Sequence, residues 1–254
     1  MGNWLVRYTH RPLDSFTPYV LLTNFNNYVD LFCEQCGVEQ VDYGANMRMA
    51  VADDITMINF GIGSPNAALI MDLLSAVQPS ACLFLGKCGG ISDKTHVGDY
   101  ILPLAGIRGE GTSNDYFPPE IPALPAFMLQ RAVSTSLRDA RNDYWTGTVY
   151  TTNRRVWEHD EKFKDYLRTT RAMAVDMETA TLFSCGFYNR QEDMAMNAAP
   201  LFLLHFFFLT YRFRFGGFRF FLFPVQCKMQ KISININHGL NTAPPVFHFP
   251  APAV

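Results

Sequence analysis

Short apolar runs alternate with amphipathic stretches over roughly the first three quarters of the chain. Residues 19–23 (YVLLT) form one such run, followed by a helical pattern from about Asn26 to Cys36. Residues 55–60 (ITMINF) read as a buried strand closed by Gly61-Ile62-Gly63. Ser64 then stands where a helix is capped, and Ala67, Ile70, Met71, Leu74 and Val77 recur behind it at helical spacing. Residues 81–85 (ACLFL) are the next strand, closed by Gly86-Lys87-Cys88-Gly89-Gly90. The same pattern predicts strands at 99–104, 145–151 and 172–176, and helices at about 122–139, 154–168 and 177–188. Continuous apolar strands alternating with helices predict an α/β fold: a mostly parallel, twisted sheet flanked by helices on both faces. Ligands of such sheets sit beyond the carboxyl ends of the strands, where both glycine loops fall.

From about Asn189 the pattern is lost. Residues 200–225 (PLFLLHFFFLTYRFRFGGFRFFLFPV) are dominated by Phe, Leu and Arg, and the chain closes on a Pro-rich, aperiodic stretch. The formal net charge of −2 conceals the same division. Residues 1–193 carry 16 basic and 23 acidic residues, whereas residues 194–254 carry five basic residues and no acidic one. Ordinary composition would place roughly seven acidic residues in a segment of that length. The expected organisation is therefore one domain over 1–189 and an aberrant Phe/Arg/Pro-rich tail over 190–254, expected to be poorly ordered. The tail reads as the product of a shifted reading frame or an untranslated segment, and a membrane-surface tail is the minority reading. Its longest apolar stretch, about 201–211, is too short to span a bilayer.

Length and composition suit one globular domain with a sizeable core, and the near-neutral charge gives no reason to expect nucleic acid as a partner. The six cysteines lack a disulfide-scaffold spacing. Cys33-Glu34-Gln35-Cys36 stands alone, without a second ligand pair for zinc, and falls late in a predicted helix. No metal or cofactor is called for. The N-terminus shows no basic region followed by an apolar run, so a cytoplasmic protein is expected.

Four constellations carry candidate chemistry. The first is the pair of glycine loops, whose backbone N–H groups can approach a phosphate closely; a strand-to-helix turn needs glycine in any case. The second is Arg108-Gly109-Glu110-Gly111-Thr112-Ser113-Asn114-Asp115, where an arginine fork suits phosphate oxygens, though a solvated turn reads equally well. The third is Tyr150-Thr151-Thr152-Asn153-Arg154-Arg155-Val156-Trp157, able to hold an anion and stack a planar base. The fourth is Asp176-Met177-Glu178-Thr179-Ala180, where an apolar strand runs directly into two carboxylates. Carboxylates there can accept both hydroxyls of a ribose; acids are also simply favoured in a helix's first turn.

Taken together, NFGIGSPNAALIMDLLSAVQP (59–79), LFLGKCGGI (83–91), GDYILPLAGIRGEGTSNDYFPPEIPALP (98–125), YWTGTVYTTNRRVWEHDEKFKDYLR (144–168) and AVDMETATLF (174–183) are similar to the bacterial AMP nucleosidases of the purine nucleoside phosphorylase superfamily. The resemblance runs from about Trp4 to Asn189. It implies a nucleoside phosphorylase-like fold, with residues 1–189 as a catalytic domain incomplete at its C-terminal end, a homo-oligomer (hexameric in that family), and hydrolysis of AMP to adenine and ribose 5-phosphate. By the same resemblance Glu178 binds the ribose 2′- and 3′-hydroxyls and is the catalytic carboxylate, with Met177 packed on the sugar. Gly61 and Gly63 match the phosphate-side loop. Phosphorylases of the superfamily hold inorganic phosphate with an arginine two residues before the second loop's first glycine; here that place is Phe84, which argues for water as the nucleophile. Lys87, Arg108, Arg154 and Arg155 are then candidates for the 5′-phosphate, and Tyr150 and Trp157 for the base pocket. The family's general acid, an aspartate in an apolar-Ser-Asp pattern after a late strand, has no match: only Asp193 lies nearby, following neither strand nor serine. The alternatives are a purine nucleoside phosphorylase and a non-catalytic nucleotide-binding remnant.

Overall fold

The structure, a computed structural model, describes residues 1–39 and 44–189. The 190–254 tail and Asp193 lie outside the described residues. Helix α1 (Gly2–Thr9) precedes strand β1 (Tyr19–Thr23), helix α2 (Asn26–Cys36), strands β2 (Met49–Ala52) and β3 (Ile55–Asn59), helix α3 (Ser64–Leu74) and strand β4 (Ala81–Leu85). There follow β5 (Gly89–Gly90), β6 (Tyr100–Arg108), α4 (Phe127–Asp139), β7 (Tyr144–Thr151), α5 (Glu161–Thr169), β8 (Ala174–Asp176) and α6 (Thr179–Tyr188).

The strands form two four-stranded sheets, ordered β2-β3-β1-β4 and β5-β8-β7-β6. β3, β1 and β4 run parallel, as do β8, β7 and β6; β2 and β5 are antiparallel at their sheets' edges. Side chains alternate across a strand, and in the first sheet both faces are covered. Val20, Leu22, Ile58, Cys82 and Phe84 pack with Leu5 of α1, with Ile70, Met71 and Leu74 of α3, and with Leu182 of α6. The opposite face presents Leu21, Met57 and Leu85 to Tyr28, Val29 and Cys33 of α2. Leu83 and Leu85 also reach Leu102, Val133 and Leu137, which joins β4 to the second sheet and α4. The expected α/β architecture, mostly parallel and flanked by helices, is thus present, with its strands divided between two sheets rather than joined in the single sheet expected.

Several expected boundaries move. Ser64 does not cap α3; the cap position is Gly63, and the Ser64 hydroxyl donates to the Met177 carbonyl at 2.6 Å. Helix α4 begins at Phe127 rather than near residue 122, because Pro122 and Pro125 bias the residues before them toward extended backbone. Ala123 instead bridges Gly106 of β6. Helix α5 begins at Glu161 rather than residue 154, where the Asp160 carboxylate accepts the Phe163 N–H at 3.0 Å. β6 extends to Arg108, beyond the expected end at 104. α1 and β2 had no counterpart in the expected pattern.

Candidate functional site

Parallel strands place their carboxyl ends together, so Asn24 after β1, Gly61–Gly63 after β3 and Met177-Glu178 after β8 can converge. They do. The Gly63 N–H donates to Glu178 Oε1 at 2.7 Å, and the Met177 N–H donates to Glu178 Oε2 at 3.2 Å. The Asn24 side chain lies beside the same carboxylate and favours its charged form. Glu178 is only 2% exposed. Its backbone, φ −134° and ψ −36°, lies outside the helix, since α6 begins one residue later. That offset turns the carboxylate back toward the glycine loop instead of along the helix surface.

Burial pushes the Glu178 carboxyl up to about 8, and the neighbouring Asp176 carboxylate adds to the rise; the donors from Gly63, Asn24 and Met177 oppose it. Asp176 itself is spent on the scaffold. Its Oδ1 accepts the Thr151 hydroxyl at 2.7 Å and its Oδ2 accepts the Thr179 N–H at 2.7 Å, which pins the start of α6. The Thr151 hydroxyl in turn accepts the Ala180 N–H at 2.9 Å. Of the two adjacent acids, therefore, one builds the helix start and the other is aimed at the loop.

The glycine loop has positive φ at both ends, +89° at Gly61 and +96° at Gly63. The Gly61 N–H donates to Asn59 Oδ1 at 2.9 Å. Both expected loop donors are thus engaged by the protein, Gly63 by Glu178 and Gly61 by Asn59.

The basic candidates are dispersed. Lys87 lies over the rings of Phe25, at 4.3 Å, and Tyr28, at 5.6 Å, beside the start of α2. Arg108 sends its guanidinium donors to Ser113 Oγ (2.8 Å), Asn114 Oδ1 (2.9 Å) and the carbonyls of Phe117 (2.7 Å), Pro118 (2.5 Å) and Ile121 (2.8 Å). In this conformation it clamps its own loop. Arg154 pairs with Asp160 at 2.8 Å and stacks on Phe163, while Arg155 reaches Glu158 at 3.6 Å with its side chain 72% exposed. Tyr150 and Trp157 meet in one apolar cluster with Phe163 and Val175; burial, then Tyr166, pushes the Tyr150 phenol up to about 12, so it stays neutral at ordinary pH. Phe84 is fully buried with its ring 5.5 Å from that of Phe60.

Sequence reasoning missed Asn24 and Glu110. Glu110 is a buried acid whose Oε1 accepts the Thr181 hydroxyl at 3.0 Å and whose Oε2 accepts the Ser113 N–H at 3.3 Å. The Asn153 amide donates to its carbonyl. The one signal for Asn24 was its place directly after an apolar strand. Among the described residues no His/Cys/Asp/Glu group is arranged to hold a metal ion, and no helix is long and apolar enough to cross a membrane.

The family model of the phosphorylase superfamily matches residues 18–190. The AMP nucleosidase of Escherichia coli is 30% identical over 229 residues, which covers 72% of this chain and 47% of that protein. The chain thus spans about half the length of the curated AMP nucleosidases it matches. A guanosine phosphorylase of Halorubrum lacusprofundi is 30% identical over 131 residues, covering 52% of this chain and 54% of that one. Among solved structures, an AMP nucleosidase from Bacteroides thetaiotaomicron superposes with a TM-score of 0.76 at 56% identity, covering 82% of this chain and 87% of that chain. A uridine phosphorylase from Vibrio fischeri superposes with a TM-score of 0.68 at 22% identity, a likeness of fold alone.

Proposed function

We propose that this chain, which belongs to the phosphorylase superfamily, takes AMP at the carboxyl ends of its strands and cleaves the N-glycosidic bond to give adenine and ribose 5-phosphate. The observation that carries the reading is the buried Glu178 carboxylate, held by the Gly63 and Met177 N–H groups where the β3 and β8 ends meet. The relative at 56% identity, an AMP nucleosidase, supports the choice of substrate.

The chemistry asks little more of this position. As the bond from C1′ to the base breaks, positive charge develops on the sugar. In its ionised form, which the Gly63 and Met177 donors favour and burial opposes, Glu178 is an acceptor of sugar hydroxyl hydrogen bonds fixed in advance, and it stabilises that charge. Water then adds at C1′ and the base departs with a proton. Water rather than inorganic phosphate is the nucleophile in this reading, because Phe84 packs an apolar ring where phosphorylases of the superfamily carry an arginine. The acid that would protonate the base has no sequence match in residues 190–254, so turnover by this chain is expected to be slow. Lys87, Arg154 and Arg155 remain the proposed contacts for the 5′-phosphate. Arg108 would serve there only by giving up bonds to its own loop. The expected homo-oligomer and cytoplasmic location belong to this reading as well.

The test is adenine release from AMP by the purified chain, with and without inorganic phosphate, with the sugar product identified. Ribose 5-phosphate formed without phosphate supports the reading. Phosphate-dependent release that leaves a phosphate on C1′ would replace it with the phosphorylase alternative.

A further inference from the structure

Among the described residues, two buried side-chain polar atoms have no hydrogen-bond partner, Asn24 Oδ1 and Thr179 Oγ1. Both belong to residues that adjoin Glu178. Asn24 lies beside its carboxylate and favours the charged form, and Thr179 follows it in the chain.

Asn24 is only 8% exposed and directly follows β1. Its backbone is placed firmly, because the preceding Thr23 pairs with Asn59 on one side and Leu85 on the other. An asparagine side chain carries a donor and an acceptor on one planar group. The side chain favours the charged form of Glu178, which sets its NH2 group toward the carboxylate, so the amide cannot turn over without setting its carbonyl oxygen against Glu178. Oδ1 is thereby fixed in place as an acceptor that the protein does not use. A buried acceptor left unpaired is costly, and its retention beside a carboxylate of the candidate site points to a donor supplied by the ligand. Thr179 Oγ1 rotates and can donate or accept, so it selects less sharply and carries no assignment.

We propose that Asn24 is a positioning and hydroxyl-selecting residue: Nδ2 holds the Glu178 carboxylate, and Oδ1 accepts a hydrogen bond from a hydroxyl of the bound sugar. The assignment rests on the reading of Glu178 as the sugar-binding carboxylate. Two neighbouring sugar hydroxyls present two donors, and a carboxylate beside an amide carbonyl gives each its own acceptor. Such a site rejects an analogue lacking the hydroxyls, because its buried acceptors would then stay unpaired.

Calorimetric titration of the full chain with AMP and with 2′,3′-dideoxy-AMP tests it, alongside Asn24→Ala. The wild type should prefer AMP, and Asn24→Ala should lose roughly tenfold or more in AMP affinity while its affinity for the dideoxy analogue stays unchanged. Should Asn24→Ala fail to fold by circular dichroism, Asn24→Ser serves, with the same expected loss because its hydroxyl is too short to reach both partners. If the wild type discriminates and the Asn24 variant discriminates equally, the assignment is overturned while the Glu178 reading stands. If the wild type binds both ligands alike, or neither, the sugar hydroxyls are not read and both fall together.

Discussion

The Gly63 N–H donates to the Glu178 carboxylate at 2.7 Å across 115 positions of sequence. The glycine loop after β3 therefore does more than turn the chain: it spends a backbone donor on fixing the acid that follows β8. Ser64 reinforces the joint with its hydroxyl on the Met177 carbonyl at 2.6 Å. Loop and acid are one unit.

Gly63→Ala should damage that unit. With φ +96° and ψ 158°, Gly63 occupies backbone space that is essentially reserved for glycine. A Cβ there meets open room, its nearest neighbour being Pro65 at 3.8 Å, so the cost is conformational rather than steric. We expect a loss of about 1–3 kcal/mol in denaturant unfolding, with weakened AMP binding as the Glu178 partner shifts. An unchanged midpoint would show that the loop tolerates the side chain.

Gly106→Ala tests a different constraint. A Cβ at Gly106 would lie 2.7 Å from the Ala180 Cα, so β6 approaches the first turn of α6 backbone to backbone. Relief requires moving the helix that carries Glu178 at its start. The expected result is a destabilisation of roughly 1–3 kcal/mol, as for overpacking in a tight core, read as a fall in the urea midpoint. A variant as stable as the wild type would mean that α6 can shift freely.

The titration of Glu178 sets a pH dependence. Its folded carboxyl is raised to about 8, from an ordinary unfolded value near 4.5. The folded state therefore holds the proton more tightly. The associated stability is fully present below about pH 4.5 and is lost as pH rises through about 8, with a slope approaching ~1.4 kcal/mol per pH unit between the two. Glu178→Gln removes this group, so the stability difference between variant and wild type should swing toward the variant as pH rises from 5 to 8. Urea midpoints of both proteins across that range check it, and parallel curves would contradict it. Asp176→Asn should lower the Glu178 pKa by removing a like charge.

Arg108 should prove structural. Its guanidinium reaches five acceptors between Ser113 and Ile121, a set that a lysine ammonium cannot span. Arg108→Lys is expected to cost about 1–3 kcal/mol and to make residues 109–121 sensitive to limited proteolysis. Intact protection of that loop in the variant would return Arg108 to the list of ligand contacts.

Most of the first sheet was legible because β1, β3 and β4 are short apolar runs, the last two closed by glycine, and β1, α2, β3 and β4 fall at or within a residue of their expected bounds. The β2–β3 hairpin was not. Its signal is slight: a four-residue strand, then Asp53 and Asp54, with Asp53 at φ 50°. Helix starts were misplaced where caps and prolines overrule apolar spacing, as at Asp160 and Pro125. In the site, Asp176 and Glu178 look alike in sequence. Only the tertiary fold separates them, because Thr151 and the α6 N-terminus engage one and the Gly63 loop engages the other. The same limit hid Asn24, whose importance lies in a partner 154 positions away.

The most direct test of the Glu178 site is AMP binding to the wild type and to Glu178→Gln, measured by calorimetry on the full chain above pH 8, where the carboxyl is ionised. Binding does not need the base-protonating acid, so it reports on the sugar site alone. Measurable binding by the wild type is expected, with an affinity lower by about tenfold to a hundredfold in Glu178→Gln, the usual scale for a hydrogen bond to a charged group. Equal affinities in the two proteins would contradict it and place the nucleotide elsewhere.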